Sequence, residues 1–369
     1  MISVDLAIDK IKQNKNYIFD FLSSRNNVHF KEYIYITQKY IDGNINEDFK
    51  SQYKIFWAMN GNGLHEEWLE AYFDYLNEDK NDPCVILREL YKIHNKLQFV
   101  FVSKLIHTTN KNIPPYDNLV GVVLDLKQEN DTTVDLDSRI NKRLQLWRNL
   151  NDFYNECLHT DFIKKYILTF RDYFKNEINE WDDDLISDIK ILDSTFWALG
   201  KKKTKIIVKQ IDITTLQVDA IVNAANKSLL GGGGVDGTIH TMAGPELLAE
   251  CKLLNGCEVG QAKITKGYNL PAKYILHTVG PYYGDENGQE AKLLASCYRN
   301  SLELARKNKL RTIAFPCIST GVFRYPKDEA AKIAVNIIKK YTKEYPDVFD
   351  EIIFAVFDDW NLSIYKELL

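Results

Sequence analysis

The chain of 369 residues has no run of about 18 consecutive apolar residues, the length that a membrane-spanning helix requires. Its first ten residues carry acids among the apolar side chains and no small-residue cleavage site, so we expect neither a signal peptide nor a membrane partner. The six cysteines form no Cys-x-x-Cys pair. This pattern predicts reduced thiols in a cytoplasmic protein, and it argues against a disulfide framework or a bound metal.

An excess of basic residues is also missing. Lysine and arginine number 47, aspartate and glutamate number 51, and the formal net charge is −4. Residues 1–203 hold 27 basic and 32 acidic side chains, and residues 204–369 hold 20 and 19. Non-specific binding to a nucleic-acid backbone needs a broad positive surface, which neither half supplies. The composition leaves open whether one of the halves carries a local basic patch. The length of the chain favours two domains over one.

Residues 1–200 are poor in glycine and in the alternating pattern of strands. Apolar side chains recur there at spacings of three and four residues, as in residues 68–76, which predicts a separate, mostly α-helical domain. We expect its last helix over residues 185–199, capped by the acids at 182–184 and ended by Gly200. The lysines at 201–203 then predict a solvated linker.

From residue 204 onward, strand-like segments alternate with helical ones, which predicts a second domain over residues 204–369. Residues 352–356 are apolar on both faces, which is typical of a strand in a sheet that helices cover on both sides. The predicted strands are 205–211, 220–223, 262–268, 274–279, 312–317 and 351–357, and the predicted helices are 237–242, 245–254, 289–307, 326–341 and 362–369.

The most informative stretch of this half is residues 221–244. A short apolar strand is followed at its end by two amide side chains, Asn223 and Asn226. Four consecutive glycines come next, at 231–234. Glycines pack no side chain and cost backbone entropy, so such a run is tolerated mainly where backbone N–H groups must approach a ligand. The following helix carries Asp236 and His240. Because phosphate at a helix N-terminus is the commonest such ligand, we predict a pocket for a phosphate-bearing molecule.

A second loop, 319–321 (Ser-Thr-Gly), follows another predicted strand. Taken alone it would be an ordinary loop. In sheets covered by helices, however, ligands bind at the carboxyl ends of the strands. Asn223, Asn226, the glycines and this loop all follow strand ends. We therefore expect them to meet at one edge of the sheet.

Six motifs of this half occur together: QIDIT at 210–214, VNAAN at 222–226, LGGGGVDG at 230–237, LNGC at 254–257, HTVGP at 277–281 and FPCISTGV at 315–322. In this combination and order they resemble a macrodomain of the MacroD type. The resemblance covers nearly all of residues 204–369. It implies a three-layer α/β/α sandwich with a mixed sheet, ADP-ribose as the ligand and no cofactor. It also implies hydrolysis of ADP-ribose esters on acidic side chains and of O-acyl-ADP-ribose, including O-acetyl-ADP-ribose.

The resemblance also implies which residues bind ADP-ribose. Asp212 would accept a hydrogen bond from the adenine amino group, Ile213 would lie beside the ring, and Phe357 would pack on it. A carboxylate only accepts, which suits an exocyclic amino group. Taken alone, Asp212 would be predicted to cap a turn with Thr214, and Phe357 to be a core residue. The residues implied around the ribose and the diphosphate are Asn223, Gly232, Gly233, Gly234, Val235, Ser319, Thr320, Gly321, Val322 and Phe323.

By the same resemblance, Asn226 and Asp236 are the catalytic residues. The carboxylate would orient or deprotonate a water that attacks the ribosyl ester, while the amide would hold the ribose hydroxyls and the water. A phosphate of the substrate is the alternative base, and the sequence leaves both open. His240 lies one helical turn after Asp236 and is either an accessory residue or a hydrogen-bonded scaffold residue.

The chain departs from the family pattern after Val322. A second glycine and a tyrosine or phenylalanine are usual there, whereas this chain has Phe323-Arg324-Tyr325-Pro326. If the backbone at Arg324 needs a positive φ, a side chain there costs about 1 kcal/mol. The guanidinium would contact the phosphate, the modified side chain or solvent.

Within the helical domain, residues 97–123 are similar to a region of helix-hairpin-helix DNA glycosylases. Lys104 precedes a Pro-Pro-Tyr-Asp segment that ends at Asp117. The Gly-x-Gly hairpin that those enzymes use on DNA is missing between Phe99 and His107. We therefore expect a helical accessory or partner-binding module, and nucleic-acid binding stays open.

Together these patterns predict an ADP-ribosyl hydrolase whose partners are ADP-ribose and mono-ADP-ribosylated proteins. Two alternatives stay open. One is a reader that binds ADP-ribose without turnover, and the other is a nucleic-acid-associated factor that the helical domain targets. The presence of Asn226, the glycine run and Asp236 favours the enzyme.

Overall fold

A computed structural model of the chain describes residues 1–24, 28–60, 64–78, 80–128 and 134–369. The chain divides into two compact units, Met1–Lys201 and Lys202–Leu369. None of the helices in the described part is both long and apolar enough to cross a bilayer.

The first unit consists of α-helices around one core of aromatic and aliphatic side chains. In the segment 68–76, Trp68 and Tyr72 are fully buried and stack with ring centroids 5.2 Å apart. The predicted helical character of this half is therefore confirmed. The helices of the described part are α1 Val4–Ser24, α2 Val28–Ile41, α3 Glu47–Phe56, α4 Glu66–Asn77, α5 Pro83–His94, α6 Phe99–Thr109, α7 Asn118–Val123, α8 Leu136–Leu158, α9 Asp161–Glu177 and α10 Asp188–Lys201.

Helix α10 differs from its predicted bounds at both ends. It begins at Asp188 rather than at residue 185, because the preceding acids have other partners: Asp183 accepts a 2.9 Å hydrogen bond from Arg171. It also continues through Gly200 instead of ending there. A Cβ at Gly200 would lie 2.7 Å from the Cβ of Leu119. The glycine therefore permits the close approach of α10 to α7 and does not cap the helix.

The second unit contains a six-stranded sheet with the order β1-β6-β5-β2-β4-β3. All neighbouring pairs are parallel except β3 and β4. The predicted mixed sheet is therefore confirmed. The strands are β1 Lys205–Gln210, β2 Ala220–Ala225, β3 Ala262–Lys266, β4 Tyr274–Val279, β5 Thr312–Phe315 and β6 Glu351–Val356, and the helices are α11 Gly234–Ala243, α12 Pro245–Leu253, α13 Glu290–Lys307, α14 Lys327–Glu344 and α15 Asp359–Leu368.

Neighbouring residues of the central strands face opposite layers, as the two-residue period of a strand requires. On β6, Ile353 belongs to a buried cluster with Ile239 of α11, whereas Phe354 belongs to a second cluster with Tyr298 of α13 and Tyr365 of α15. The rings of Phe354 and Tyr365 lie 4.5 Å apart. The sheet thus has helices on both faces, which confirms the three-layer α/β/α class.

The segment expected to be a solvated linker contains one buried lysine. Lys202 is only 8 % exposed, and its ammonium donates a hydrogen bond to Asp350. Asp350 also accepts a 2.7 Å hydrogen bond from Arg311. Because Asp350 immediately precedes β6, these bonds fix the start of β1 beside the strand with which it pairs.

Candidate functional site

A cavity of ≈ 590 Å³ lies where the parallel strands end at their carboxyl termini. Its volume is within the range of small-molecule sites. The expectation that the strand-end motifs meet at one edge holds for most of the predicted residues. Those that line the cavity are Asp212, Ile213, Gly233, Gly234, Val235, Ser319, Thr320, Gly321, Val322, Phe323 and Phe357.

The strand order gives the cavity two distinguishable ends. Asp212 follows β1 and Phe357 follows β6, and these strands are neighbours at one side of the sheet. Ser319 follows β5 in the middle, and Gly280 follows β4 towards the other side. We call these sides the Asp212 end and the Gly280 end. A long ligand lying across the strand ends would contact both.

The cavity offers an anion backbone donors rather than free cations. Among the described residues that line it, Lys327 is the only lysine or arginine, and its Nζ lies 2.9 Å from Asp358 Oδ2. Helix α11 starts at Gly234 with Gly233 as its N-cap, so the unpaired N–H groups of its first turn adjoin the cavity. A phosphate there would interact with these donors and with the helix dipole.

The loop after β5 has a left-handed turn at a residue that is not glycine. Ser319 has φ +65°, and its carbonyl accepts a 2.9 Å hydrogen bond from the N–H of Tyr325. Its Oγ is buried without a hydrogen-bond partner in the described structure. A Cβ at Gly280 would lie 2.1 Å from this Oγ, so the position opposite tolerates only glycine.

Asp236 is a buried carboxylate next to the glycine run. It is 3 % exposed, and Nδ2 of Asn223 donates a 2.7 Å hydrogen bond to its Oδ1. Burial raises the pKa of Asp236 above its ordinary value, while the bond from Asn223 and the nearby His240 oppose that shift. Nε2 of His240 lies 3.6 Å from Oδ1. The result is a carboxylate that holds a proton more readily than an exposed aspartate does.

Asn223 is oriented by a second buried partner. Its Nδ2 also lies 3.1 Å from Nδ1 of His277, and Nε2 of His277 lies 2.8 Å from Oγ1 of Thr265. Burial lowers the pKa of His277 to about 3, so the ring is neutral. Because Nδ1 accepts from the amide, Nε2 carries the proton and donates to Thr265. The Oδ1 of Asn223 is buried and has no hydrogen-bond partner in the described structure.

Asn226 is occupied by its own loop. Its Nδ2 donates to the Gly231 carbonyl at 2.8 Å, and its Oδ1 accepts from the N–H and the hydroxyl of Ser228. A Cβ at Gly232 would lie 3.1 Å from both Asn226 Nδ2 and Asp236 Oδ2. Asn223, Asn226, Gly232 and Asp236 are therefore grouped beside the part of the glycine run that lines the cavity, and they do not line it themselves.

At the Asp212 end, Oδ1 of Asp212 accepts from both the N–H and the hydroxyl of Thr214, at 2.9 and 2.7 Å. Asp212 therefore caps the turn at Thr214, as its sequence context alone predicts, and it also lines the cavity. Phe357 is 88 % exposed, so it is not a core residue. Its ring is available to a flat ligand.

Arg324 does adopt the positive φ that its position suggested, at +59°. Its side chain is exposed, and its neighbour Phe323 lines the cavity. The ring of Phe323 stacks on that of Tyr282, which follows β4, with centroids 4.1 Å apart. Arg324 itself does not line the cavity, but it directly follows Phe323, which does.

Residues that are not among the predicted site residues also line the cavity, among them Gly280, Lys327, Asp358 and Asn361. Asp358 caps α15 by accepting from the N–H of Asn361 at 2.7 Å, and Oδ1 of Asn361 is buried without a partner. The spacing of an acid three residues before Asn361 is a helix N-cap pattern. The helix begins at Asp359 rather than at the predicted residue 362, so Asp358 is its N-cap.

In the first unit, Lys104 does not form an exposed site. It is 5 % exposed, and its Nζ donates to the carbonyl of Trp57 at 3.0 Å and lies 5.3 Å above the Trp57 and Phe101 rings. Asp117 caps α7 through the N–H of Leu119. Both residues have structural partners, and the burial of Lys104 weighs against the glycosylase similarity.

Comparison with known proteins agrees with the fold and the cavity. The family model described as Macro domain matches residues 222–334. Over 167 residues the chain is 56 % identical to a macro domain-containing protein of Mesorhizobium japonicum, which covers 45 % of this chain and 94 % of that protein. The chain therefore belongs to the macrodomain family and, within it, to the MacroD type.

Two vertebrate relatives carry more specific names. The chain is 46 % identical over 233 residues to the human ADP-ribose glycohydrolase MACROD2, covering 62 % of this chain and 54 % of the relative. It is 52 % identical over 182 residues to the bovine ADP-ribose glycohydrolase MACROD1, covering 49 % and 56 %. The chain thus spans about half the length of these curated relatives. A Trypanosoma brucei macrodomain solved in complex with ADP-ribose is 48 % identical, with a TM-score of 0.42, and the match covers 44 % of this chain and 68 % of that one.

Proposed function

We propose that this chain is an ADP-ribosyl hydrolase, which binds ADP-ribose in the cavity and removes mono-ADP-ribose from aspartate and glutamate side chains of proteins. The observation that carries this proposal is the buried Asp236, held by Asn223 directly beside the glycine wall of an anion-binding cavity. The names of the MACROD1 and MACROD2 relatives support the same activity.

Each end of the cavity suits one end of ADP-ribose. Adenine would stack on the exposed ring of Phe357 and donate its amino group to Asp212, since stacking needs an accessible ring face. The diphosphate would lie over Gly233, Gly234 and the loop from Ser319, where N–H groups are the donors. The distal ribose would then reach the Gly280 end, nearest to Asp236.

Asp236 would act as general base towards a water molecule. The water oxygen forms a bond to the anomeric carbon of the distal ribose, its proton passes to Asp236, and the bond from that carbon to the acceptor oxygen breaks. The acceptor leaves as a carboxylate. A general base works best with a pKa close to the working pH, and burial raises the pKa of Asp236 in that direction.

Asn223 and Asn226 would then be positioning residues. Asn223 orients the carboxylate through its side-chain amide. Asn226 holds the Gly231 carbonyl and so shapes the glycine loop beside the base. His240, 3.6 Å from the carboxylate, would serve as an accessory residue.

O-acetyl-ADP-ribose has the same ribose and a smaller acyl group, so we include it among the substrates. Six free cysteines suit a reducing, cytoplasmic location.

The proposal is tested with a protein that carries mono-ADP-ribose on glutamate. We expect the purified chain to release ADP-ribose and the Asp236→Ala variant to do so at least about 100-fold more slowly, the scale of a lost general base. Calorimetric titration with ADP-ribose should show binding by both proteins. Tight binding by an inert wild-type chain would instead identify a reader.

A further inference from the structure

We propose that Arg324, together with Tyr282, forms a subsite for carboxylates of an acidic acceptor peptide, just outside the reacting end of the cavity. The inference rests on the proposed function, because it assigns the acceptor side of that substrate. It makes Arg324 a specificity-determining residue.

The backbone at Arg324 is held in a conformation that disfavours a side chain. Its φ is +59°, and its N–H donates to the Gly321 carbonyl at 3.0 Å. On either side, Tyr325 donates to Ser319 and Tyr283 donates to the Phe323 carbonyl, each at 2.9 Å. A residue other than glycine costs about 1 kcal/mol in this region. Glycine would avoid that cost, and a ligand bound by the guanidinium would compensate it.

Arg324 directly follows a residue that lines the cavity at the end where the acceptor would depart. Phe323 lines the cavity and stacks on Tyr282, and Tyr282 follows β4. Strand β4 pairs with β2, whose Asn223 holds Asp236. The Gly280 end is thus the end at which the bond to the acceptor would break. The chain that carries the modification must leave the cavity past this wall.

The guanidinium of Arg324 is not neutralised within the described part of the chain. It is exposed and makes no ion pair there, in contrast to Lys327, which is paired with Asp358. A guanidinium binds a carboxylate with two parallel hydrogen bonds. Tyr282 is 38 % exposed, and its ring stacks on Phe323, the residue before Arg324. This combination suits an acidic side chain next to the modified residue.

The surrounding charge favours a peptide over a nucleic acid. Residues 204–369 contain 20 basic and 19 acidic side chains, so no broad positive surface adds to Arg324. Binding of a nucleic-acid backbone uses several cations together. A single guanidinium matches one or two carboxylates.

The test uses two peptides with one mono-ADP-ribosylated glutamate each. One has acidic neighbours and the other has the corresponding amides. We expect the wild-type chain to have a kcat/KM about tenfold higher for the acidic peptide, the typical weight of one charge-assisted contact. Arg324→Gln and Arg324→Gly should both abolish this preference, although glycine relieves the backbone. Lys332→Gln removes an exposed charge on α14 and should keep it. In wild type the preference should shrink as salt rises.

The affinities of the same intact peptides are also measured in an Asp236→Ala background, with and without Arg324→Gln. An affinity ratio that depends on Arg324 supports the subsite even if the wild-type chain releases nothing, an outcome that would refute the proposed function alone. Turnover with no dependence of the ratio on Arg324 overturns the subsite alone. The subsite is also overturned if Arg324→Gln changes only the affinity for an oligonucleotide that is ADP-ribosylated at a terminal phosphate and leaves the affinities for both peptides unchanged.

Discussion

The side-chain amide of Asn223 donates a 2.7 Å hydrogen bond to Oδ1 of Asp236, and both residues are buried. This bond offsets part of the cost of keeping a carboxylate out of water. Burial still has the larger effect, because the pKa of Asp236 is raised overall. The ionised carboxylate of Asp236 therefore lowers the free energy of unfolding.

The Asp236→Asn variant should be inactive and more stable. A raised folded pKa means that the folded state binds the proton more readily, so this group lowers stability as pH rises from about 4 through the folded pKa. Asparagine is nearly the same size and does not ionise. Calorimetry should show a melting temperature several degrees above wild type at pH 7.5, with the gain shrinking towards pH 4. An unchanged difference across that range would contradict the buried-charge argument.

Gly232→Ala should disturb the base without disrupting the fold. The new methyl group would lie 3.1 Å from both Asn226 Nδ2 and Asp236 Oδ2, so these side chains must move by a few tenths of an ångström. A displacement of this kind at a reacting group costs about tenfold or more in turnover. Kinetics on a glutamate-linked substrate measures it.

Gly233→Ala is the matched control for stability. Its φ is −97° and a Cβ there meets nothing within 4 Å, so its melting temperature should equal that of wild type. Equal turnover of wild type and Gly232→Ala would show that the packing around Gly232 does not position the base.

Phe357→Ala should weaken ADP-ribose binding while leaving the fold intact. The ring is 88 % exposed, so its removal loses little buried surface. Loss of a base-stacking ring costs about 1–3 kcal/mol, or roughly 5- to 150-fold in Kd. Calorimetric titration with ADP-ribose measures this, and Leu253→Ala, which removes an 80 % exposed side chain on α12, is the control. If both variants bind equally well, adenine does not stack on Phe357.

Replacing either of two buried lysines of the helical unit by methionine should lower the stability of the fold by different amounts. Lys190 lies 3.0 Å from Asp193, and both are buried, so Lys190→Met leaves a carboxylate unpaired and should cost about 3–5 kcal/mol. Lys104 donates only to a carbonyl, and burial lowers the pKa of Lys104. Lys104→Met leaves no charge behind and should cost under about 2 kcal/mol.

Tryptophan fluorescence during urea unfolding separates these two cases. Five of the six tryptophans lie in residues 1–201, so the signal reports mainly on the helical unit. Equal losses of stability in both variants would show that the Lys190–Asp193 pair contributes nothing beyond side-chain packing.

The strands were predictable because buried parallel strands have a strong signature. Residues 352–356 are apolar without interruption, and the observed strand Glu351–Val356 coincides with them. The ends of α10 were not predictable, because Gly200 is required by Leu119, which lies far away in the sequence. Composition at a helix end carries no information about such a contact. The pairing of Lys202 with Asp350 escaped prediction for the same reason.

At the site, the pattern predicted which residues would meet but not how they bond. The run from Asn226 to Asp236 was singled out, yet the amide of Asn226 is used by Gly231 and Ser228. Asn223, expected to be structural or to position the ribose, makes the bond that holds the Asp236 carboxylate. Hydrogen-bond geometry depends on side-chain rotamers, which a motif does not specify.

Strand β1 pairs with β6 over its whole length, although these are the first and last strands of the second unit. A nascent chain that leaves the ribosome therefore presents the glycine run and the Ser319 loop well before the Asp212 end exists. Contacts between such distant segments form late, because a long loop must close first. The cavity is consequently complete only once β6 has docked beside β1, so we expect any affinity for ADP-ribose to appear only then.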